Sequence, residues 1–196
     1  MAKKSKGYKD TKLEEKLKDR YFRTAESSPE FLDKVEDLSK TIPHMCYQCG
    51  TCTGSCPSAP RSSYRIRYFM RRAVLGLEEE QLTDPDLWLC TTCYSCTDRC
   101  PRDIAPTDMI MACRNLAYQR GIVPVNFLKT VQAIYSSGHG VPNNDVNRAA
   151  RKRLGLTADP PTTHMYPEYI KGIQKILDHY GIKEQADKIV AEAEKK

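Results

Sequence analysis

The sequence predicts an all-α protein with two cysteine loops set into a frame of helices, and three observations predict it. Apolar residues recur at three- and four-residue spacing in every long segment. The alternating pattern of half-buried strands is almost absent. One unit, a short cysteine-rich stretch followed by an amphipathic stretch, occurs twice.

Taken in order, residues 1–27 form a polar, Lys-rich arm, with eight Lys/Arg against four Asp/Glu in the first twenty residues. Ser27, followed by Pro29 and Glu30, signals a capped helix running through Phe31, Leu32, Val35 and Leu38. After the first cysteine stretch, Pro60 and the cap candidate Ser62 lead into a helix with Ile66, Phe69, Met70, Ala73, Val74 and Leu77 on one face, stopped by Gly76. Thr83-Asp84-Pro85-Asp86 is another helix start, leading through Leu87, Trp88 and Leu89. After the second cysteine stretch, Pro106 and Thr107 precede a helix carrying Met109, Ile110, Cys113, Leu116 and Ala117, stopped by Gly121. Helical patterns continue over 124–135 and 142–154, then over 166–180 with Tyr169, Ile170, Ile173, Ile176, Leu177 and Tyr180 on one face, and finally from Ile182. The expected domains are the arm (1–27), a cysteine-loop domain (28–122) and a helical extension (123–196).

The 196-residue chain has 31 basic and 25 acidic residues, a net charge of +6. Most of the surplus lies in the arm, which weakens any nucleic-acid reading drawn from overall charge. No stretch reaches the roughly 18 apolar residues of a membrane helix, and no apolar core follows the Lys-rich start. A cytoplasmic chain without a membrane span or secretory signal is expected. Nine cysteines in such a chain stay reduced, and at short spacings they read as metal ligands.

Cys46-Tyr-Gln-Cys49-Gly-Thr-Cys52-Thr-Gly-Ser-Cys56-Pro57 returns as Cys90-Thr-Thr-Cys93-Tyr-Ser-Cys96-Thr-Asp-Arg-Cys100-Pro101, offset by 44 residues at every cysteine and at the proline. A C-x2-C-x2-C-x3-C-P run places three thiolates on one tight loop and diverts the fourth to a second cluster. The spacing therefore assigns Cys46, Cys49, Cys52 and Cys100 to one 4Fe-4S cluster, and Cys90, Cys93, Cys96 and Cys56 to another. Gly50 and Gly54 leave room for close backbone approach, and Pro57 and Pro101 rigidify the divergence of the fourth cysteine. The alternative is a pair of structural zinc sites, as in a zinc-stabilised nucleic-acid-binding module, although zinc draws its ligands from two C-x2-C pairs and leaves the third and fourth cysteines unexplained.

Cys113, on an apolar helix face, reads as a buried inert thiol. His44 is near enough to Cys46 to touch the cluster surroundings. Arg61, Arg65, Arg67, Arg71 and Arg72 could offset two clusters of about −2 each or lie on a solvated face. Tyr64, Tyr68 and Trp88 read as packing around the clusters. No Walker, G-x-G-x-x-G or G-x-S-x-G element occurs, and no residue is assigned a catalytic role.

Two complete runs separated by a helical stretch from Ser58 to Leu89 resemble the α-helical ferredoxin family, and within it the iron-sulfur C subunits of the cytosolic heterodisulfide reductases of methanogens. The resemblance covers about residues 28–155 and rests on the cysteine loops. It implies the fold of an α-helical ferredoxin and two 4Fe-4S clusters. It also implies a non-catalytic member of an oxidoreductase complex that relays single electrons. In that family the electrons come from the flavin-containing A subunit and go to the catalytic B subunit, whose noncubane clusters reduce the coenzyme M–coenzyme B heterodisulfide of methanogenesis. A nickel-iron hydrogenase or a formate dehydrogenase joins the larger assembly in that family. A relay chain of another anaerobic complex, oxidising glycerol 3-phosphate or 2-hydroxy acids, would carry the same ligation.

Overall fold

A computed structural model describes residues 27–193; the basic arm, apart from residue 27, lies outside the described residues. Among them there are helices, turns and no strand, as the apolar periods predict. The chain divides into two compact units between Ala117 and Tyr118.

The first unit begins with α1 (Pro29–Ser39), whose stripe buries Phe31 and Val35 completely while Leu38 turns outward. Ser27 does not cap it. Its hydroxyl instead donates to the Leu75 carbonyl at 2.8 Å, and Ser28 N–H donates to the Gly76 carbonyl at 2.8 Å. Gly76 follows α3 (Ile66–Val74) at φ 68°, and an added Cβ would stand 2.5 Å from the Ser28 oxygen, so the turn accepts glycine alone. α3 buries Ile66, Phe69, Met70 and Ala73, each large side chain stabilising by about 1.5–3 kcal/mol.

Two short helices, α2 (Thr51–Gly54) and α5 (Ser95–Asp98), occupy equivalent places in the duplicated unit and pack on each other. α4 (Glu78–Thr83) is not foreseen by the apolar pattern, although three glutamates in its first turn are a helix-start signal. The Thr83–Asp86 signal yields a 3-10 helix over Pro85–Leu89, with the Asp84 carboxylate accepting from Asp86 N–H at 2.8 Å. α6 (Pro106–Gln119) buries Met109, Ile110, Cys113 and Ala117. Ser62 and Thr107 are not caps: Ser62 donates to the Ser58 carbonyl at 2.8 Å, and Thr107 sits inside α6 against sulfur.

In the second unit, α7 (Val125–Ser137) packs against α9 (Pro167–His179) and α10 (Ile182–Ala193) around Leu128, Ala186 and Val190. The Tyr118 hydroxyl donates to the Ile182 carbonyl at 2.9 Å. α8 (Asp145–Arg153) is capped by the Asn144 side chain, which accepts from Asn147 N–H. On the apolar face expected over 166–180, Ile170, Ile173 and Leu177 are half-buried while Tyr169, Ile176 and Tyr180 are exposed, and α9 buries no residue fully. No described helix is long and apolar enough to cross a membrane.

Candidate metal centre

Each loop is shaped by two residues in the left-handed region. In the first they are Gln48 (φ 62°) and Gly50 (φ 85°), in the second Thr92 (φ 50°) and Tyr94 (φ 61°), the same two places after the 44-residue offset. Left-handed residues interspersed in this way curl consecutive N–H groups toward one side, a concave nest that suits anions and iron-sulfur clusters. Glycine occupies Gly50 without strain, whereas Thr92 and Tyr94 hold the conformation at a cost of about 1–2 kcal/mol each. At Gly54 an added Cβ would meet no protein atom within 4 Å.

The run-to-run register is pinned by two hydroxyls. Thr41 Oγ1 accepts from Ala105 N–H at 2.9 Å, holding the approach to the first loop against the exit from the second. Ser58 Oγ donates to the Leu89 carbonyl at 3.0 Å, holding the exit from the first against the approach to the second. Each contact joins one end of a run to the opposite end of the other. Cys46, Cys49, Cys52 and Cys100 line a common pocket with Gln48, Gly50, Arg67, Met70, Pro101, Ile104 and Pro106. Cys56 and Cys90 flank the Ser58–Leu89 contact.

The thiols of the two loops are treated alike by their surroundings. Cys49 lies 3.4 Å from Thr51 Oγ1 and Cys93 3.6 Å from Ser95 Oγ; the hydroxyl and amide of each of these neighbours hold the exposed thiols below their ordinary pKa. Burial pushes Cys52 up to about 11 and also raises Cys96, which the Thr107 hydroxyl, 3.2 Å away, partly offsets. Eight thiols in two nests, with an apolar wall and few charges inside, form a donor set suited to iron-sulfur clusters. Among the described residues no group of three or more His, Cys, Asp or Glu side chains converges closely enough to grip a single ion.

The neighbours sort differently from the sequence reading. His44 turns away from the loop, with Nδ1 2.6 Å from Glu36 Oε1. Arg65 staples its own turn by donating to the carbonyls of Ala59, Ser62 and Tyr64 at 2.8 Å, and Arg72 pairs with Asp84. Arg61 and Arg71 are exposed, and Arg67 borders the pocket. Tyr68 is exposed rather than packed, with the Arg67 guanidinium 5.8 Å from its ring centre. Cys113 is fully buried beside Gln81 and Met109, and burial pushes its pKa up to about 12. Arg114, which no motif singles out, donates to the Leu87 carbonyl at 3.1 Å and the Cys90 carbonyl at 2.7 Å and lies 5.5 Å over the Trp88 ring.

Residues 43–104, which span both loops, match the family model of a 4Fe-4S dicluster domain. The fold, the paired nests and this match define an iron-sulfur electron-transfer protein and decide against the zinc reading. Three relatives carry the comparison along the chain. The iron-sulfur C subunit of the CoB–CoM heterodisulfide reductase of Methanopyrus kandleri is 41% identical over 168 residues, 82% of this chain and 88% of the relative. The C subunit of the H2:CoB-CoM heterodisulfide, ferredoxin reductase of Methanothermobacter marburgensis is 43% identical over 152 residues, 78% of this chain and 82% of the relative. The second iron-sulfur C subunit of the CoB–CoM heterodisulfide reductase of Methanocaldococcus jannaschii is 42% identical over 156 residues, 80% of this chain and 81% of the relative. The chain belongs to the family of heterodisulfide reductase C subunits, the iron-sulfur members of a multi-subunit oxidoreductase complex.

Proposed function

We propose that Cys46, Cys49, Cys52 and Cys100 hold one 4Fe-4S cluster and that Cys90, Cys93, Cys96 and Cys56 hold a second. Through them the chain passes single electrons from a flavin-containing A subunit to a B subunit that reduces the coenzyme M–coenzyme B heterodisulfide. The observation that carries the ligand reading is the pocket shared by the first three cysteines of one run and the last of the other. The relatives named for that heterodisulfide support the complex.

When bound, each cluster supplies a site that takes up and gives back one electron. This chain's residues supply the rest. The nests direct N–H groups toward the sulfurs, which favours the more negative, reduced state. Thr41 and Ser58 fix the crossing of the two runs. Met70, Ile104 and Pro106 wall the first site with apolar surface, lowering the local dielectric. Cys49 and Cys93, the exposed cysteines of each run, mark where the sites come nearest to solvent and to a docking partner.

Anaerobic affinity purification of the tagged chain from its source cells tests the proposal. The expected co-purifying proteins are a flavoprotein and a cysteine-rich chain with noncubane clusters, with nickel-iron hydrogenase or formate dehydrogenase in the larger assembly and the whole in the cytoplasmic fraction. Recovery with a glycerol 3-phosphate or 2-hydroxy acid dehydrogenase instead would overturn it.

A further inference from the structure

Tyr64 Oη is a buried side-chain atom without a hydrogen-bond partner of ordinary geometry. The side chain is 1% exposed and its ring is set 5.4 Å from that of Phe69, so the hydroxyl can neither reach water nor swing elsewhere. An unmet buried hydroxyl costs about 1–3 kcal/mol, and phenylalanine would fill the same space without that cost. The surroundings of the hydroxyl are sulfurs. Burial first, then Cys90, followed by Cys56 and Cys96, push the phenol well above its ordinary range. These are three of the four cysteines assigned above to the second cluster.

We propose that Tyr64 Oη donates a hydrogen bond to Cys90 Sγ once that sulfur is a cluster-bound thiolate, and that this bond raises the potential of the cluster held by Cys90, Cys93, Cys96 and Cys56. The inference rests on the ligand sets given under Proposed function. A thiol is a weak acceptor and a ligating thiolate a strong one, so the bond belongs to the cluster-bound form of Cys90. Drawing electron density from a ligating sulfur favours the reduced state. Arg114 adds a cation on the same side, donating to the Cys90 carbonyl at 2.7 Å. The first loop has more exposed counterparts, the Gln48 amide 3.4 Å from Cys46 Sγ and the exposed Tyr47 beside Cys49. Tyr64 is a positioning and tuning residue rather than a ligand.

The test is an EPR-monitored redox titration of the anaerobically purified full chain, with Cys93→Ser marking which signal belongs to the Cys90 set. Tyr64→Phe is expected to keep the iron and sulfide content, lower the midpoint of the marked cluster and leave the other in place. Uniform replacement of tyrosine by 3-fluorotyrosine, a more acidic donor, needs no variant and is expected to raise the marked midpoint more than the other, because Tyr64 is buried whereas Tyr47, beside Cys49, is exposed. An unmoved marked midpoint in both experiments, or equal movement of both clusters, overturns the inference while the ligand sets stand. A wild-type protein that carries no pair of clusters overturns the ligand sets and the inference together.

Discussion

In the loop of residues 46–57 the left-handed places fall to Gln48 and Gly50; in the loop of residues 90–101 they fall to Thr92 and Tyr94. The short helices that follow, the hydroxyls beside Cys49 and Cys93, and the third cysteines, both raised by burial, also correspond. What differs is the wall. The first loop opens beside Arg67, the Gln48 amide and the exposed Tyr47, whereas the second is backed by the buried Tyr64, Arg114 with Trp88, and Thr107. A duplicated backbone can thus give equal ligation, while the residues brought in from other helices make the two sites unequal.

The largest effect that could break this comparison comes from the diverging cysteines. Cys56→Ser should disrupt the cluster built on Cys90, Cys93 and Cys96, and Cys100→Ser the one built on Cys46, Cys49 and Cys52, as read by iron content and by the EPR signal marked with Cys93→Ser. Loss of the cluster of its own run in either variant would show that the runs do not cross.

Arg114→Ala should come next. Two carbonyls lose a charged donor, which lowers stability by about 2 kcal/mol, and the midpoint of the cluster on the Cys90 side falls while the other holds. Equal shifts in both potentials would mean that the wall of the second loop is not what separates the sites.

Smaller again is the backbone difference between Gly50 and Tyr94. Gly50→Ala should lower the thermal stability of the loaded protein by about 1 kcal/mol, because alanine enters the left-handed region against a steric penalty. Tyr94→Gly, which relieves that penalty, should leave stability unchanged or higher. Loss of stability in both variants would mean that the two loops do not share their conformation.

The smallest effect concerns the ninth cysteine, which belongs to neither loop. Cys113→Ala should leave iron and sulfide unchanged. Burial raises the Cys113 thiol from 9.0 to about 12 in the folded protein. Above about pH 9 the unfolded chain therefore binds fewer protons than the folded one, and stability falls as pH rises toward about 12, while below about pH 9 the full stability is kept. Denaturant unfolding at about pH 8 and about pH 10 should show that loss in the wild type, and Cys113→Ala should reduce it.

Much of this was legible in the sequence, for identifiable reasons. The cysteine offset is covalent and unambiguous, and the buried stripes of α3 and α6 follow directly from helical period. The caps were not legible, because Ser27, Ser62 and Thr107 spend their hydroxyls on other carbonyls or on sulfur. Leu38 and the Tyr169–Ile176–Tyr180 face fit a helical period equally well inside or outside a core, so period alone does not say that they are exposed. Arg114 and the Tyr64 hydroxyl carried no signal, since a lone arginine or tyrosine acquires its meaning only when the fold delivers a cysteine beside it.

The central claim is that eight thiolates enclose two iron-sulfur cubes. Metal and acid-labile sulfide analysis of the chain purified without oxygen tests it most directly. The account predicts about eight irons and about eight sulfides per chain; zinc in whole-number stoichiometry with no sulfide would contradict it.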